Sequence, residues 1–171
     1  IFQALTAGIM SMGADVIALG QVSSPVFYFG AGRGMFPFGV MITASHNPPE
    51  YNGFKMVKSG SFPIQDHEIQ EIRKRVEAGV STPVAKPGQI ISMDVLPDYT
   101  RHVEKAAVGL PRARVVMDAG NSVVGELIPL VYRDLPLQIE PLFFEPDGNF
   151  PNHEADPLKP ENREDARQAL S

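Results

Sequence analysis

Apolar positions along the chain switch repeatedly between helical spacing and the short continuous runs that are typical of buried strands. Residues 2–12 predict an amphipathic helix, and residues 15–19 predict a strand directly after it. Residues 38–43 predict another short buried strand, and residues 53–57 predict its antiparallel or edge neighbour. Helices and strands that alternate in this way indicate an α/β fold.

Two further segments of the first half carry residues that mark the start or end of a helix. Ser24-Pro25 marks a helix start, but the apolar run 26–29 is short enough to be either helix or strand. The following Gly30–Gly34 run lacks both the Gly-x-Gly-x-x-Gly spacing and the Walker lysine, so we predict a loop there rather than a phosphate cradle. Asp66 is a candidate cap for a helix that ends at Gly79.

The second half of the chain repeats the α/β pattern after a segment rich in proline and glycine. We predict a linker at 80–88, a helix around 99–107, and a strand, a helix and a parallel strand at 114–119, 123–134 and 137–144. The predicted fold class is therefore α/β, with mixed sheets flanked by helices in two successive domains. We place these domains at residues 1–88 and 89–171, and we expect both to be incomplete because Ile1 opens within a helical pattern.

Composition excludes several classes of function. The chain has 171 residues, 43% of them hydrophobic, a net charge of -5 and no cysteine. The absence of cysteine excludes disulfides, thiolate metal sites and cysteine nucleophiles, and it fits a reducing cytoplasm. Acidic and basic residues are interspersed without a basic stripe, so we do not expect a nucleic-acid partner. No apolar run approaches the roughly 20 residues that span a bilayer, so we expect no membrane partner.

The segment 42–55, Ile-Thr-Ala-Ser-His-Asn-Pro-Pro-Glu-Tyr-Asn-Gly-Phe-Lys, carries the main candidate chemistry. Ser45 follows a predicted strand at its carboxyl end, where open α/β sheets bind ligands. The two prolines after Asn47 restrict the backbone of the turn and so fix the direction of the serine. The simpler interpretation is that Ser45 is only a turn or cap residue.

Other polar residues are weaker candidates when they are taken alone. Gly120-Asn121 stands between a predicted strand and a predicted helix, a context that suits anion binding. The histidines, His46, His67, His102 and His153, are widely spaced and match no zinc pattern. Residues 147–156 contain acidic and amide side chains, but their spacing is not that of an EF-hand, so we predict a structural turn.

The segment 42–55 resembles the active-site loop of the α-D-phosphohexomutases, in particular the phosphomannomutase/phosphoglucomutase branch. Residues 115–121, 145–153 and 156–162 resemble the second domain of the same family, in the same order. One departure is Ser122, since the family usually has Gly-Asn-Gly where this chain has Gly-Asn-Ser.

The resemblance implies that Ser45 is phosphorylated in the resting state and exchanges its phosphoryl group with a hexose phosphate. The reaction would interconvert the 1-phosphate and 6-phosphate of mannose or glucose, with glucose 1,6-bisphosphate as intermediate and activator. His46 would contact or protonate phosphate, Asn47 would hold the loop or bind phosphate, and Lys55 would act as a general acid and base or as a clamp on phosphate. The implied ion is Mg²⁺, bound in this chain only through the phosphate on Ser45.

Two other functions stay open at this point. A serine hydrolase would need Gly-x-Ser-x-Gly, and Ser45 lies instead in Ala-Ser-His. The second alternative is a catalytically silent sugar-phosphate-binding or scaffold fragment, because the resemblance implies that the aspartate metal loop and the sugar-recognition and phosphate-binding domains lie outside these residues. We therefore expect the remaining domains of a larger enzyme to be partners of this chain.

Overall fold

The computed structural model describes residues 1–34, 36–79 and 81–171. Within them the chain divides into two compact units, which we call the first and the second unit. The first unit comprises residues 1–20, 27–42 and 55–94, and the second comprises residues 21–26, 43–54 and 95–171. No helix in these described ranges is long and apolar enough to cross a lipid bilayer.

The first unit begins with an α/β step and contains small sheets of both parallel and antiparallel type. Its helices are α1 (Phe2–Ser11), α2 (Ser24–Arg33), which starts in the second unit, and α3 (Asp66–Glu77). Its strands are β1 (Val16–Ala18), β2 (Phe38–Ile42), β3 (Phe54–Lys58), β4 (Phe62–Pro63) and β5 (Ile90–Ser92), with a short 3-10 turn at Ser59–Ser61. Strand β1 pairs with β5 in parallel, and β3 lies between β2 and β4, with β3 and β4 antiparallel.

The buried centre of the first unit lies between α2 and the sheet that contains β3. Val57 of β3 is 2% exposed, and Phe27 and Ala31 of α2 are also buried. Gly39 of β2 lies between them, since a Cβ added there would be 3.0 Å from Val57, 3.2 Å from Phe27 and 3.3 Å from Ala31. Helix α2 therefore packs closely on β2 and β3, and these strands hold both ends of the segment that contains Ser45.

The second unit contains the predicted parallel βαβ unit. Its elements are α4 (Leu96–Ala106), β6 (Ala113–Asp118), α5 (Val124–Val131), β7 (Leu137–Leu142) and α6 (Glu164–Ala169), with a 3-10 turn at Pro160–Arg163 before α6. Strands β6 and β7 pair in parallel from Ala113 opposite Leu137 to Asp118 opposite Leu142. Leu127, Ile128 and Val131 of α5 are buried. Asp118 therefore stands at the carboxyl end of this sheet, beside the start of the long loop that follows β7.

The α/β fold class predicted from the sequence is confirmed, but several details differ. Gly30 to Arg33 belong to α2, so the loop predicted for Gly30–Gly34 is wrong, and α2 resolves the choice of helix or strand at 26–29 in favour of helix. Strand β3 is central in its sheet rather than at the edge. Helix α5 ends at Val131, before the predicted end at 134.

The segment predicted as a linker is attached to the first unit. Its first residue, Val80, lies outside the described residues, and residues 81–88 form neither helix nor strand. The amide of Val84 donates to the carbonyl of Ser11 at 3.0 Å, and the amide of Gly88 donates to that of Met10 at 2.8 Å. Strand β5, which the sequence did not predict, then pairs with β1. The domain boundary after residue 88 stays a prediction.

Candidate active site

The segment between β2 and β3, residues 43–53, forms a loop that is closed at its base. The amide of Thr43 donates to the carbonyl of Gly53 at 2.9 Å. Inside the loop, both the backbone amide and the side-chain amide of Asn47 donate to the carbonyl of Ala44, at 3.2 Å and 2.7 Å. The amide of Tyr51 donates to the carbonyl of Pro48 at 3.0 Å. The loop is therefore shaped by hydrogen bonds among its own residues.

Ser45 occupies an unusual backbone position in this loop. Its φ is 58°, in the left-handed region that residues other than glycine rarely adopt. The backbone amide of Ser45 donates to the Thr43 hydroxyl at 3.0 Å, and this bond restricts rotation of the backbone. The side chain is exposed, and its hydroxyl lies 3.5 Å from Nδ1 of His46, which is at the outer limit of a hydrogen bond. Ser45 is therefore held by its backbone while its hydroxyl faces solvent.

The structure brings three of the predicted site residues together and places the fourth on the adjoining strand. Ser45, His46 and Asn47 are consecutive and exposed in the loop, and the side chain of Asn47 is engaged with Ala44. The choice between holding the loop and binding phosphate stays a prediction for Asn47. Lys55 lies near the start of β3, just after the Gly53 carbonyl that closes the loop, and it is half-buried.

The described residues do not form a metal site on their own. Within 1–34, 36–79 and 81–171, no group of three or more histidine, cysteine, aspartate or glutamate side chains is arranged to hold an ion. The sequence-based expectation of Mg²⁺ at Ser45 stays a prediction.

A second polar centre surrounds Asn121, just after β6. Asn121 is 6% exposed and has a φ of 54°. Its side-chain amide donates to the carbonyl of Glu145, its side-chain oxygen accepts from the side chain of Asn152, and each distance is 2.8 Å. Its backbone amide donates to the carbonyl of Phe143 at 2.9 Å, and its carbonyl accepts from the amide of Asp147 at 2.8 Å. One buried residue thus connects β6 to several points of the loop after β7.

The backbone amides of Gly120 and Asn121 are not available to an anion, so the anion-binding context predicted for this segment is wrong. The Gly120 amide donates to the Asp118 carboxylate at 2.8 Å, and the Asn121 amide is used by Phe143. The next amide, that of Ser122, donates to the carbonyl of Ala119 at 3.0 Å. These donors are already satisfied within the chain, so the segment closes a turn instead of facing an anion.

Sequence analysis also missed a pair of ionisable residues at this centre. His153 Nε2 lies 3.0 Å from the Asp118 carboxylate, with side-chain exposures of 13% and 17%, and His153 Nδ1 lies 2.8 Å from the carbonyl of Glu154. Burial alone would lower the pKa of His153, but these hydrogen bonds and the charges of Asp118 and Asp165 raise it above its ordinary value. The available signal was Asp118 at the carboxyl end of a predicted strand.

The predicted structural turn in the same loop is confirmed by its hydrogen bonds. The carboxylate of Asp147 accepts from the backbone and side-chain amides of Asn149, both at 2.9 Å. The carboxylate of Asp156 accepts from the amide of Leu158 at 3.0 Å. These aspartates therefore act as turn residues of the common Asx type.

Comparison with known proteins gives the same family for both halves of the chain. Residues 1–82 match the family model described as phosphoglucomutase/phosphomannomutase, alpha/beta/alpha domain I. Residues 97–171 match the model for alpha/beta/alpha domain II of the same family. The chain belongs to the phosphoglucomutase/phosphomannomutase family. The resemblance noted for residues 42–55 and for the second half is therefore confirmed.

Individual relatives of this family match nearly the whole chain but extend well beyond it. A phosphomannomutase/phosphoglucomutase of Pseudomonas aeruginosa is 38% identical over 94% of this chain and 34% of its own length. A phosphoglucomutase of Neisseria gonorrhoeae is 39% identical over 99% of this chain and 37% of its own length. A crystal structure of a phosphoglucomutase/phosphomannomutase family protein from Burkholderia thailandensis matches with a TM-score of 0.86 and 36% identity, over 99% of this chain and 38% of that one. The chain thus spans about a third of the length of these relatives.

Proposed function

We propose that this chain is the phosphoryl-carrying part of a phosphohexomutase that interconverts hexose 1-phosphate and hexose 6-phosphate, with mannose or glucose as the sugar. Membership of the family supports the reaction class, because relatives are named phosphomannomutase/phosphoglucomutase. Since the chain spans about a third of those relatives, the activity is proposed for the protein in which these residues act together with further domains. A cytoplasmic location also stays a prediction, which rests on the absence of cysteine.

The observation that carries the proposal is the backbone of Ser45. A non-glycine residue at a φ of 58° is uncommon, and strained positions of this kind concentrate where a side chain must be aimed. The strain is maintained by the Thr43 hydroxyl and by the closed loop, while the Ser45 hydroxyl itself is exposed. Positioning of this kind is the main demand of phosphoryl transfer, which needs an aligned donor and little covalent work by the protein.

In the proposed reaction, the phosphorylated Ser45 gives its phosphoryl group to a hydroxyl of the bound hexose phosphate. A bond forms between the sugar oxygen and phosphorus, and the bond between Ser45 Oγ and phosphorus breaks. The sugar hydroxyl loses its proton to a nearby base, and the departing Ser45 Oγ takes up a proton to become a hydroxyl again. The resulting 1,6-bisphosphate returns its other phosphoryl group to Ser45 by the reverse steps. Glucose 1,6-bisphosphate added from outside would then phosphorylate an empty Ser45 and activate the enzyme.

The neighbours of Ser45 have proposed roles that differ in detail. His46 Nδ1 is the ring nitrogen on the side of the serine hydroxyl, so it is suited to contact a phosphate there. Lys55 is proposed either as the base for the sugar hydroxyl or as a positive clamp on the transferring group, and both roles stay open. Mg²⁺ is the ion proposed to accompany the phosphate on Ser45, and each of these roles is derived from the residues of this chain alone.

The test is transfer of labelled phosphate to one serine. The chain is incubated with glucose 1,6-bisphosphate that carries ³²P, and the label is mapped by peptide mass spectrometry. The same measurement is made in a chimera in which this chain replaces the segment that it matches in the Pseudomonas aeruginosa relative, so that further domains are present. We expect label at Ser45 and none in Ser45→Ala, whereas Ser59→Ala, a change at an exposed serine outside the loop, keeps full labelling.

The chimera also separates the mutase from its alternatives. Label at Ser45 together with mutase turnover supports the proposal. Label on another residue in the active chimera would contradict it. Turnover of the chimera that is unchanged in Ser45→Ala would favour the silent or scaffold role for these residues, because the relative would then supply the chemistry without them.

A further inference from the structure

We propose that His153 is a proton-controlled latch that fixes the segment 145–159 on the carboxyl end of β6, and that the latch opens when the imidazole loses its second proton. This inference concerns the second unit and is independent of the role of Ser45. It rests on the contacts of the His153 ring, on the packing around it and on the strained backbone at the same place.

The hydrogen-bond partners of His153 require both of its ring nitrogens to be donors. Nδ1 lies 2.8 Å from the carbonyl oxygen of Glu154, and a carbonyl can only accept. Nε2 lies 3.0 Å from the Asp118 carboxylate, which is also only an acceptor when it is ionised. A neutral imidazole has a single N–H, so it can satisfy either partner but not both. The observed arrangement is therefore that of the imidazolium.

The ring is enclosed by groups that fix its position. Phe143 meets it edge to face with the ring centroids 5.4 Å apart. Gly120 lies directly against it, because a Cβ added at Gly120 would be 3.3 Å from His153 Cε1. The ring therefore has little room to turn when one of its hydrogen bonds is lost, and the lone pair of a neutral ring would face an acceptor oxygen.

The charged groups around His153 favour the same proton. Asp118 of β6 contacts the ring, and Asp165 of α6 adds negative charge, while the carboxylate of Glu154 is paired with Lys159. Burial alone would lower the pKa of His153, but its hydrogen bonds and these negative charges raise it above 6.5. The latch is therefore closed at pH values below the ordinary pKa of histidine, and it opens as the pH rises through the raised pKa of His153.

Backbone strain is present within the segment held by His153 and beside it. Phe143 and Phe150 have φ values of 52° and 51°, and Asn121, which binds the same loop, has a φ of 54°. Left-handed backbone at residues other than glycine costs on the order of 1 to 3 kcal/mol each and persists only where surrounding contacts impose it. Removal of one contact of His153 should therefore relax the loop as a unit rather than a single side chain.

The decisive variant is Asp118→Asn, because it reverses the sign of the effect. The asparagine oxygen can still accept from the Gly120 amide, as the Asp118 carboxylate does at 2.8 Å. Its amide nitrogen would face His153 Nε2 as a donor, so this nitrogen must become an acceptor while Nδ1 still donates to Glu154. The loop of Asp118→Asn is then held best by a neutral His153 and is released by protonation.

The experiment combines two measurements on the purified chain. Ring ¹⁵N chemical shifts give the protonation of His153, and hydrogen exchange of amides 145–159, corrected for the intrinsic effect of pH, gives the closure of the loop. In the wild type we expect both ring nitrogens to be protonated at pH 6, and loop protection to fall at least tenfold as His153 deprotonates. In Asp118→Asn we expect loop protection to rise over the same transition, and His67→Gln, a change on α3, should behave like the wild type.

Clear results would overturn the proposal. If the ¹⁵N shifts of the wild type at pH 6 are those of a neutral tautomer, His153 does not donate from both ring nitrogens and the proposal fails. Loop protection that does not change across the titration of His153, or that falls with rising pH equally in the wild type and in Asp118→Asn, would show that the proton does not control the loop. A failure of Ser45 labelling would leave this inference unchanged, since neither measurement involves Ser45.

Discussion

The contacts of Asn121 allow a quantitative prediction about the stability of the second unit. Replacement by alanine removes the hydrogen bonds from its side chain to Glu145 and Asn152, both 2.8 Å long. Each such bond contributes about 0.5 to 1.5 kcal/mol net. Asparagine and alanine both place a Cβ at this φ of 54°, so the backbone strain is present before and after the change. For the two bonds together, we therefore expect Asn121→Ala to lower the free energy of unfolding by about 1 to 3 kcal/mol.

Asn121→Gly is the matched control, because it loses the same side-chain bonds but has no Cβ. A Cβ at a positive φ destabilises by more than the roughly 0.4 to 1 kcal/mol that it contributes by stiffening the unfolded chain. Asn121→Gly should therefore be more stable than Asn121→Ala by about 1 kcal/mol. The difference between the two variants isolates the effect of the Cβ, and the difference between the alanine variant and the wild type isolates the side-chain bonds, because both of those proteins have a Cβ at residue 121.

The assay is urea unfolding followed through the amide NMR signals of residues 95–171, so that the second unit is measured by itself. With a urea dependence of about 2 kcal/mol per molar, a loss of about 2 kcal/mol moves the midpoint by about 1 M. An alanine variant as stable as the wild type would refute the importance of the side-chain bonds. An alanine variant at least as stable as the glycine variant would refute the argument from the left-handed backbone.

Three further predictions concern other parts of the chain. In the chimera, Lys55→Arg should lose about 10²-fold to 10⁴-fold in turnover if Lys55 transfers protons, and should keep most of it if Lys55 is a clamp, whereas Lys55→Met should lose activity in both cases. Glu68→Gln should lower the urea midpoint of the first unit at pH 7, because the hydrogen bond from Lys58 holds the pKa of Glu68 below its ordinary value. This stabilisation is present at neutral pH and is lost as the pH falls through the lowered pKa, so an equal effect of the substitution at pH 2 would contradict the prediction. Gly125→Ala should destabilise the second unit by about 1 to 3 kcal/mol, since a Cβ there would lie 2.0 Å from a backbone carbonyl, whereas Gly8→Ala, with open space around it, should stabilise α1 by about 0.5 to 1 kcal/mol. Urea midpoints equal to those of the wild type would contradict both expectations.

Elements with strong local signals were predictable from the sequence. Helix α3 begins with a capping box in which the Glu68 carboxylate accepts from the Gln65 amide at 2.8 Å, although the cap is Gln65 and not Asp66. Strands β6 and β7 stand on either side of a helix in the sequence, and their parallel pairing followed from that order. The serine loop was recognisable because its two adjacent prolines restrict the chain locally.

Features that depend on distant residues were not predictable. The glycines of α2 suggested a loop, yet Gly30 and Ala31 are buried, and a Cβ on Gly32 would lie 2.9 Å from the Ser61 hydroxyl. Their small size therefore permits close packing of a helix, and this outweighs their low helix propensity. Strand β5 is three residues long and exists through pairing with β1, which lies far back in the sequence.

The contact between His153 and Asp118 joins residues 35 positions apart, and no periodic pattern records such a pair. Asn121 was recognised only as part of a possible anion site, because its position before a helix is visible in the sequence whereas its partners are not. Its burial and its bonds to the loop after β7 depend on where that loop folds back. The chemistry of the second unit therefore had to be read from the structure.

The closed loop at 43–53 has a consequence for how the family can vary. The hydrogen bonds that shape Ser45 begin and end inside this short segment, from the Thr43 hydroxyl to the Gly53 carbonyl. The segment is therefore self-contained, and substitutions elsewhere in the chain can accumulate without changing the direction of the Ser45 side chain. Transplanting 43–53 onto another pair of adjacent strands with the same closure should carry the aimed hydroxyl along with it.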